Sequence, residues 1–342
     1  MRHRNLAMAV AGGVALATAV SRLARSWHRI SFDGRVVVVT GGSRGLGLVM
    51  SRLLVDDGAH VVLLARDLDE LSRAADDLES RGRGSVTTLR CDVRRRADVR
   101  AAVDTILDRQ RTIDVLINNA GVIQVGPFEH MTEDDFENAM ATHFWGPLHL
   151  MLEVLPTMIH RRFGRIVNVS SIGGRIAVPH LGPYSASKFA LVGLSDGARA
   201  ELDRYGIRVT TVAPGLMRTG SPMNAQFKGQ HGAEYAWFKM SSSIPGVTIA
   251  AERAARRILD ACRHGDPSLT ITPQAKLAAI ANAVAPNTVA RAMMIVSRML
   301  PSPTGPSGNR LLRGRETEPP ARWTPSIVTA LTDKAAVANN ET

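Results

Sequence analysis

The sequence predicts an α/β fold in which a parallel sheet is covered by helices on both faces. Short β-branched runs alternate with helical stretches between Arg35 and Thr272. Such alternation favours right-handed βαβ units, whose strands are parallel. The strands are mostly unbroken apolar runs, as expected where both faces of a sheet are buried. A glycine-rich turn also joins the first predicted strand to the first helix.

Each strand is predicted from a short run rich in Val, Ile, Leu or Thr. The predicted strands cover 35–40, 60–65, 85–90, 113–118, 164–170, 207–214 and 268–272. Helices are predicted in the intervals between them. The first runs from the glycine-rich turn to Asp57, and the others cover 67–80, 97–110, 132–160, 184–205 and 250–263. Alternation on this scale is typical of a single doubly wound domain.

The composition divides the chain into four regions. Residues 1–32 are hydrophobic and basic, and 33–272 are predicted to form the main α/β domain. Residues 273–300 are predicted to extend it as an apolar helical segment with a break at Pro286. In the tail, 301–342, Pro, Gly, Ser, Thr and charged residues dominate, so this region is predicted to be disordered.

Composition also narrows the class of protein. The chain has 342 residues, is 45% hydrophobic and carries a formal charge of +11. It contains no recognisable nucleic-acid motif, so the charge favours an anionic membrane surface over nucleic acid as a partner. Two cysteines, Cys91 and Cys262, are too few for a disulfide framework. No Cys/His cluster has metal-ligand spacing, so no metal site is predicted.

The glycine-rich turn, TGGSRGLG at 40–47, predicts a dinucleotide site. Its glycines Gly41, Gly45 and Gly47 allow tight backbone angles and a close approach of a pyrophosphate to the main chain. The helix that follows presents free N–H groups and the positive end of its dipole. Glycine-rich turns are common, but the position between a strand and a helix strengthens the prediction.

The end of the second predicted strand indicates which dinucleotide is bound. NAD-binding sites usually carry Asp or Glu there to bind the ribose 2′-hydroxyl. This chain has Ala65 followed by Arg66, and Arg44 lies in the glycine turn. Two guanidinium groups suit a 2′-phosphate, so NADP(H) is predicted over NAD(H). Two alternatives stay open: the arginines are surface residues, or Asp67 reaches the ribose.

Six motifs in order resemble those of the short-chain dehydrogenase/reductase family. They are TGGSRGLG at 40–47, CDV at 91–93, NNAG at 118–121, NVSSIGG with Ser171, YSASK at 184–188 and PGLMRT at 214–219. The resemblance covers roughly residues 35–272. It implies a single Rossmann-type domain, a nicotinamide cofactor, and interconversion of a carbonyl and an alcohol.

The resemblance also implies which residues bind the cofactor. Asp92 is expected at the adenine edge, Asn118 begins the segment that walls the adenosine, and Thr219 lies near the carboxamide. The set implied for the cofactor is Gly41, Ser43, Arg44, Gly45, Leu46, Gly47, Arg66, Asp92, Val93, Asn119, Ala120, Gly121, Tyr184, Lys188, Pro214, Gly215 and Thr219.

Hydride transfer to a carbonyl requires a proton donor beside the oxygen, and Tyr184 is the predicted donor. The pKa of a free tyrosine is about 10, which is high for proton exchange at neutral pH. Lys188 lies four residues later, where its ammonium is expected to lower the pKa of Tyr184. Ser171 has the family's spacing for the hydroxyl that polarises the substrate. Its neighbour Ser170 is expected to point to the opposite face.

His143, in THFWG at 142–146, occupies the place where the family usually has an asparagine. In the family that asparagine is associated with a helix distortion whose main-chain carbonyl holds a proton-relay water. Three interpretations remain open: the backbone of His143 still holds the water, the imidazole itself joins the relay, or the relay is broken. The intact serine, tyrosine and lysine favour the first, and His143 is included in the predicted catalytic set.

The segment after Thr219 bears on the substrate, because in the family it forms a mobile lid. Its large side chains are Met223, Phe227, Tyr235, Trp237, Phe238 and Met240. They predict an apolar pocket for a lipophilic carbonyl or alcohol. The alternatives are that they form this segment's own core, a dimer contact or a membrane contact.

Residues 6–20 form an uncharged, largely apolar run flanked by arginines. The run is shorter than the about 20 residues that a spanning helix needs. It fits a secretory signal, a membrane anchor or interfacial helix, or a helix packed on the protein itself. A cytosolic cofactor argues against secretion. We therefore expect a cytoplasmic protein that contacts a membrane through its N-terminus.

Two functions compete at this point. One is an NADP(H)-dependent oxidoreductase, and the other is a noncatalytic NADP(H)-binding regulator or scaffold at a membrane. Ser171, Tyr184 and Lys188 favour the enzyme, because a protein that only binds the cofactor does not need them. Family members often associate through the helices at 132–160 and 184–205, so a homo-oligomer is left open.

Overall fold

The computed structural model describes residues 25–244, 248–317 and 326–341. Its strands are β1 (Val36–Thr40), β2 (His60–Ala65), β3 (Ser85–Arg90), β4 (Val115–Asn118), β5 (Gln124–Val125), β6 (Gly164–Val169), β7 (Ile207–Ala213), β8 (Met217–Arg218), β9 (Gln226–Phe227), β10 (Ile249–Ala250), β11 (Ser268–Thr270) and β12 (Leu312–Arg313). Its helices are α1 (Gly45–Asp56), α2 (Leu68–Glu79), α3 (Arg96–Gln110), α4 (Glu133–Met140), α5 (Gly146–Arg161), α6 (Gly182–Leu202), α7 (Ser221–Asn224), α8 (His231–Ser241), α9 (Ala251–His264), α10 (Pro273–Val284), α11 (Pro286–Met299) and α12 (Ser326–Ala338).

Seven strands form one parallel sheet in the order β3-β2-β1-β4-β6-β7-β11. The chain winds outward from β1 through β2 and β3, and then in the other direction through β4, β6, β7 and β11. This is the doubly wound, Rossmann-type fold that the sequence predicts. The reversal between β1 and β4 leaves a crevice at the carboxyl ends of these strands, where such folds bind ligands.

Helices cover both faces of the sheet. Along β1, Val37 and Val39 join a core that contains residues of α1, α2 and α9. Val36 and Val38 join a second core with residues of α3, α5 and α6. Alternate residues of a strand point to opposite faces, so a strand covered on both sides must be apolar throughout. This explains the unbroken valine run.

Two predicted helical regions are divided in the structure. The region 132–160 consists of α4, a π-helical turn at Ala141–Trp145, and α5. The region 273–300 consists of α10 and α11, and Pro286 is the first residue of α11. Proline lacks an N–H group and fits the first turn of a helix, so the predicted break is where the second helix begins.

The described residues of the tail differ from the predicted disorder. The strand β12 pairs antiparallel with β9, and α12 forms a helix of 13 residues. Thr329, Thr332 and Ala336 are buried. Composition indicates whether a segment can bury a core of its own. This segment packs on the finished domain, so its polar composition misled the prediction.

The hydrophobic run at 6–20 lies outside the described residues, and its relation to a membrane stays a prediction. The described chain begins with Arg25, which forms ion pairs with Asp260 and Asp266. Across the described ranges, no helix combines the length and apolar character that crossing a bilayer requires.

Candidate active site

A cleft of about 590 Å³ opens at the carboxyl edge of the sheet. All of the predicted site residues line it except Gly47. A Cβ atom on Gly47 would lie 2.1 Å from the carbonyl oxygen of Gly41. Gly47 therefore allows the first turn of α1 to pack against the glycine turn, and contributes to the cleft indirectly.

The glycine turn has the shape that a dinucleotide phosphate requires. Gly41 and Gly45 have φ angles of +61° and +54°, which side-chain-bearing residues rarely adopt. Arg44 precedes α1 without a side-chain capping bond, and the first turn of the helix contains no acid. The positive end of the helix therefore faces the cleft, and the turn fits a bound pyrophosphate.

The NNAG segment is tied to this turn by hydrogen bonds. The Thr40 hydroxyl accepts from the backbone N–H groups of Asn119 and Ala120, both at 2.9 Å. The Asn119 side chain donates to the carbonyl oxygens of Thr40 and Gly41. Asn118 is buried in β4 and donates to Asn168. These bonds hold the loop after β4 beside the glycine turn.

One end of the cleft carries a cluster of arginines. Burial lowers the pKa of Arg66, and the nearby charges of Arg94, Arg44 and Arg313 lower it further. Asp67 also lines the cleft, and one oxygen of its carboxylate caps α2 by accepting from the Glu70 N–H at 2.9 Å. The cluster is therefore a concentration of positive charge beside the glycine turn.

Two carboxylates partly offset this charge. Glu70 pairs with Arg44 at 3.0 Å and accepts a hydrogen bond from Ser43. Asp92 pairs with Arg94 at 2.6 Å. Burial alone would raise the pKa of Asp92, but the hydrogen bonds from Arg94 outweigh it and the pKa is lowered. Asp92 is thus an ionised acceptor on the wall of the cleft.

The other end of the cleft brings Ser171, Tyr184 and Lys188 together. Ser171 follows β6, and the other two lie one turn apart on α6. The Ser171 hydroxyl accepts from the Gly173 N–H at 3.0 Å, which fixes its orientation. Ser170 also borders the cleft, but it is buried and its hydroxyl donates to the Lys188 carbonyl at 3.0 Å. The spacing argument thus placed Ser171 beside Tyr184.

The electrostatics of Tyr184 and Lys188 differ from the expectation. Enclosure in the cleft wall raises the pKa of Tyr184, and a hydrogen bond with Ser171 offsets part of the rise. Lys188 donates to the Val169 carbonyl at 2.8 Å, and its nitrogen lies 5.7 Å from the Tyr184 ring centre. Burial lowers the pKa of Lys188 to about 7. The predicted lowering of the tyrosine pKa was therefore wrong for this arrangement, because burial dominates.

Comparison with known proteins identifies the family. The model of the short chain dehydrogenase family matches residues 35–230. This match covers more than half of the chain. The chain belongs to the short-chain dehydrogenase family. It is therefore an oxidoreductase of the class that interconverts alcohol and carbonyl groups.

Relatives of this short-chain dehydrogenase come from distant organisms. An uncharacterized oxidoreductase of Mycobacterium tuberculosis is 34% identical over 257 residues, covering 74% of this chain and 71% of the relative. Dehydrogenase/reductase SDR family member 7B of Danio rerio is 34% identical and covers 63% and 71%. The 3-ketodihydrosphingosine reductase of Bacteroides thetaiotaomicron is 37% identical and covers 54% and 65%.

Solved structures share the fold of the dehydrogenase. A short-chain dehydrogenase from Streptomyces avermitilis superposes with a TM-score of 0.65 at 29% identity, covering 79% of this chain and 99% of that one. A metagenomic short-chain oxidoreductase solved in complex with NADP gives a TM-score of 0.59 at 29% identity, covering 71% and 99%.

His143 is a buried part of the dehydrogenase framework. It lies in the π-helical turn, where its Nε2 accepts from the Val122 N–H at 3.1 Å. We therefore assign the ring proton to Nδ1, which lies 2.7 Å from the Ser187 hydroxyl. Ser187 in turn donates to the Pro183 and Tyr184 carbonyls. The imidazole thus joins the loop after β4 to the helix that carries Tyr184.

The protonation of His143 bears on the three interpretations. Burial lowers its pKa well below the ordinary value, and the charge of Lys188 lowers it further. The ring is therefore neutral near pH 7, and both of its nitrogens already have partners. This geometry favours a positioning role and disfavours an imidazole that titrates within the relay.

The aromatic residues of the lid segment form a core of their own, which is one of the alternatives left open by the sequence. Phe227, Tyr235 and Phe238 pack with Val125 and Leu181. Phe227 stacks edge-on against both Tyr235 and Phe238. None of the six predicted lid residues lines the cleft. These side chains stabilise the small layer built by β5, β9 and β12, so they do not define an apolar pocket.

Several residues of the cleft were missed by sequence reasoning. They are Arg94, Asn224, Arg313, Arg315 and Glu341. Arg94 directly follows the CDV motif, and its position there was the only local signal. Arg313, Arg315 and Glu341 belong to the tail, whose composition predicted disorder. Their contribution arises from long-range packing and carries no sequence signature.

Proposed function

We propose that this dehydrogenase is an NADP(H)-dependent enzyme that interconverts a carbonyl and an alcohol on a lipophilic substrate. The observation that supports the proposal is a single cleft with a glycine turn at one end and Ser171, Tyr184 and Lys188 at the other. The cleft has a place for a dinucleotide phosphate and, beyond it, groups able to bind oxygen and transfer a proton.

The proposed chemistry assigns one task to each side chain. The nicotinamide supplies the hydride for reduction and accepts it in oxidation. The Ser171 hydroxyl donates to the substrate oxygen and stabilises the negative charge that develops there. Tyr184 gives its phenolic proton to this oxygen, so the carbonyl becomes an alcohol. In the reverse direction Tyr184 takes the proton back.

Lys188 is proposed to support this proton transfer. Burial lowers the pKa of Lys188 to about 7, so its amine can exchange a proton more readily near neutral pH than an exposed lysine. Its bond to the Val169 carbonyl keeps the amine on the side of the cleft that holds Tyr184. His143 positions the same helix through Ser187. The two residues together orient Tyr184 and the amine beside it.

The preference for NADP(H) is proposed from charge. Arg66 lies near Arg44, Arg94 and Arg313, so an anion placed among them relieves mutual repulsion. A ribose 2′-phosphate supplies that anion. One oxygen of the Asp67 carboxylate is engaged in capping α2, which leaves this acid less available to a ribose hydroxyl. The NADP complex of a structural relative is consistent with the proposal.

The lipophilic substrate is the least direct part of the proposal. Its support is the relative named 3-ketodihydrosphingosine reductase and the exposed apolar helices α10 and α11, which begin next to Gly215. We also propose that the chain is cytoplasmic, that residues 6–20 contact a membrane, and that two or more copies associate.

The test is NADPH and NADH consumption with a panel of long-chain and small polar carbonyls. Tyr184→Phe is expected to lower kcat/KM by about 100- to 10,000-fold, because it removes the proton donor. Tyr205→Phe removes the same hydroxyl outside the cleft and serves as the matched control. Turnover that survives Tyr184→Phe would refute the mechanism. Cofactor binding without any turnover would favour the noncatalytic regulator.

A further inference from the structure

The helices α10 and α11, 273–299, form a protruding pair that we call the apolar hairpin. The two helices contact each other. In α11 no residue is buried, and in α10 only Ala275 is buried. Val284 and Met299 are 80% and 81% exposed. Apolar residues concentrated on a surface in this way mark an interaction site.

Cations share the apolar face of α11. Arg291, Met294, Ile295, Arg298 and Met299 follow the spacing i, i+3, i+4, i+7 and i+8, which places them on one side of a helix. Their side chains are exposed. On α10, Leu277, Ile280 and Val284 follow the spacing i, i+3 and i+7 and are also exposed. Apolar residues and arginines thus lie together on the same helical face.

The charge of the apolar hairpin indicates which kind of partner binds to it. It contains Lys276, Arg291 and Arg298 and no Asp or Glu. A second copy docked through this same surface would bring like charges together at a symmetric interface. An anionic lipid bilayer supplies both the negative charge and the apolar interior that this face lacks.

The apolar hairpin begins beside the active-site cleft. The Ala275 side chain lies against Gly215, at the proposed nicotinamide end. Asn282 donates to the Arg175 carbonyl at 2.9 Å, next to the turn that follows Ser171. A membrane or protein surface bound to the hairpin would therefore lie next to the cleft.

We propose that the apolar hairpin docks the protein onto an anionic lipid bilayer. The helices have 12 and 14 residues, too short to span the hydrocarbon core, so they lie in the interface with their apolar face down. This contact is separate from any contact made by residues 6–20.

The test places a local reporter on the hairpin of the full chain. Ile295→Cys is labelled with an environment-sensitive fluorophore, and Ala101→Cys on α3 is the matched control. Both native cysteines are buried, and burial raises the pKa of their thiols to about 12, so the label goes to the introduced cysteine. Phosphatidylcholine vesicles with phosphatidylglycerol are expected to shift the emission at 295 to the blue and leave that at 101 unchanged.

A charge variant completes the test. The double substitution Arg291→Gln and Arg298→Gln is expected to lower the affinity for these vesicles, measured from the emission of the label at 295, by about 30-fold. The reason is that two surface cations are lost. Residues 1–24 are present in every variant, so their contribution cancels. An unresponsive label at 295 overturns the proposal. A label that responds to protein concentration without lipid also overturns it, because a second copy is then the occupant.

A second inference comes from an independent feature, the C-terminal segment 326–341. Its helix α12 contacts α8 and β8. Lys239 pairs with Asp333 at 2.8 Å, and the hydroxyls of Ser243 and Thr332 hydrogen-bond at 2.7 Å. These contacts attach the end of the chain to the layer beside the cleft.

The last residues of this segment enter the proposed cofactor site. The Gly45 N–H at the start of α1 donates to the Asn339 carbonyl at 2.9 Å. The Asn340 side chain donates to the carbonyls of Ser43 and Glu70 at 2.9 and 3.1 Å. The C-terminal segment therefore bonds directly to the glycine turn.

Glu341 brings a carboxylate to the same place. It accepts from the Gly220 N–H, directly after Thr219, and is buried. A Cβ atom on Gly45 would lie 2.9 Å from one of its oxygens. The Asn224 side chain donates to the Glu341 carbonyl at 3.1 Å. The carboxylate thus lies between the glycine turn and the segment after Thr219, where backbone N–H groups are expected to receive a pyrophosphate.

We infer that the C-terminal segment competes with the dinucleotide for the glycine turn. The inference rests on the proposed NADP(H) function, because it concerns the same site. A phosphate and the Asn339 carbonyl both need the Gly45 N–H, and the Glu341 side chain lies in the space beside the turn, so the phosphate and the segment cannot occupy it together. The apparent affinity for the cofactor is then reduced by the fraction of molecules in which the segment is docked.

The test measures NADPH binding by fluorescence titration in the full chain and in a truncation after Ala338. The truncation is expected to lower the apparent Kd at least about fivefold, which corresponds to a docked segment in about four of five molecules. Glu341→Ala is expected to act in the same direction without shortening the chain. Val337→Ala, an exposed change on α12, is the matched control.

A protease assay gives a second measure, since NADPH is expected to speed cleavage within the displaced segment. An apparent Kd that is unchanged or raised by the truncation overturns the competition, and a raised value shows that the segment completes the site. If neither chain binds NADPH or NADH, the cofactor assignment itself fails together with this inference.

Discussion

The main domain and the chain after Thr272 use their apolar residues in opposite ways. In the main domain, strands such as β1 are buried on both faces between layers of helices. In the apolar hairpin, a helix of 14 residues has none of its residues buried. The main domain forms helices and strands, and the apolar hairpin forms helices, largely where the sequence predicts them. A local sequence pattern therefore indicates whether a helix or a strand forms. Whether its apolar face is then buried depends on the other parts of the protein that pack against it.

The largest expected effect concerns the site that the main domain positions. Ser171→Ala is expected to lower kcat/KM by about 100- to 1,000-fold, because one donor to the developing oxyanion is lost. Ser170→Ala is the matched control. It loses only the bond to the Lys188 carbonyl and is expected to cost about 1 kcal/mol of unfolding free energy with little change in turnover. If Ser170→Ala lowered kcat/KM more than Ser171→Ala, Ser170 would be the donor to the substrate oxygen.

Core packing gives the next largest effect and compares the two regions directly. Ile258 on α9 is fully buried, whereas Ile295 on α11 is 59% exposed. Ile258→Ala is expected to lower the unfolding free energy by about 2–5 kcal/mol. Ile295→Ala is expected to change it by less than about 0.5 kcal/mol without lipid. Urea unfolding measures both, and equal losses would show that the hairpin packs against protein in solution.

The docking of the C-terminal segment is expected to depend on pH. Burial raises the pKa of Glu341 from its ordinary value of 4.5 to about 7; Arg44 and the Gly220 N–H oppose the rise, and Glu70 adds to it. A group whose pKa is raised in the docked state binds more protons there, so docking weakens as the pH rises from about 4.5 to about 7.

The measurement for this prediction is the apparent Kd for NADPH across that range. The Kd is expected to fall as the pH rises, because an ionised Glu341 leaves the cleft more readily. Glu341→Gln keeps the size of the side chain but removes the titrating proton, so this part of the pH dependence is expected to disappear. A wild-type profile identical to that of Glu341→Gln would exclude the carboxyl as its cause.

The smallest effect is expected at His143. His143→Asn is expected to keep the bond to the Val122 N–H and to lose the one to Ser187, at a cost of about 1 kcal/mol in unfolding free energy. Because the imidazole is neutral near pH 7, the apparent pKa values of the pH–rate profile are expected to stay the same. Loss of one limb of the profile would instead place the imidazole in the proton relay.

Much of the candidate site could be predicted from the sequence, because its residues lie at the ends of predictable strands and helices. Parallel strands bring their carboxyl ends to one edge, so the glycine turn after β1, Asp92 after β3 and Ser171 after β6 had to converge. Tyr184 and Lys188 are one turn apart on a helix and share a face. Local rules therefore predicted where these groups lie, and the family resemblance implied what each of them does.

The remaining features depended on contacts between distant parts of the chain. The pKa values of Tyr184 and Lys188 moved in directions set by burial, which spacing along a helix does not reveal. Phe227 and Tyr235 turned inward because β9 pairs with β5 and β12, a register that no local motif indicates.

The sequence alone determined the order of the main strands and helices and the position of the glycine turn. These follow from periodicity and backbone freedom, which are local properties, whereas the family resemblance implied the residues proposed to transfer the proton. The tertiary structure decided which charges face Arg66, how His143 is bonded, and where Glu341 lies. These depend on burial and on hydrogen bonds between residues far apart in the chain, because desolvation and hydrogen-bond partners exist only once the chain has folded.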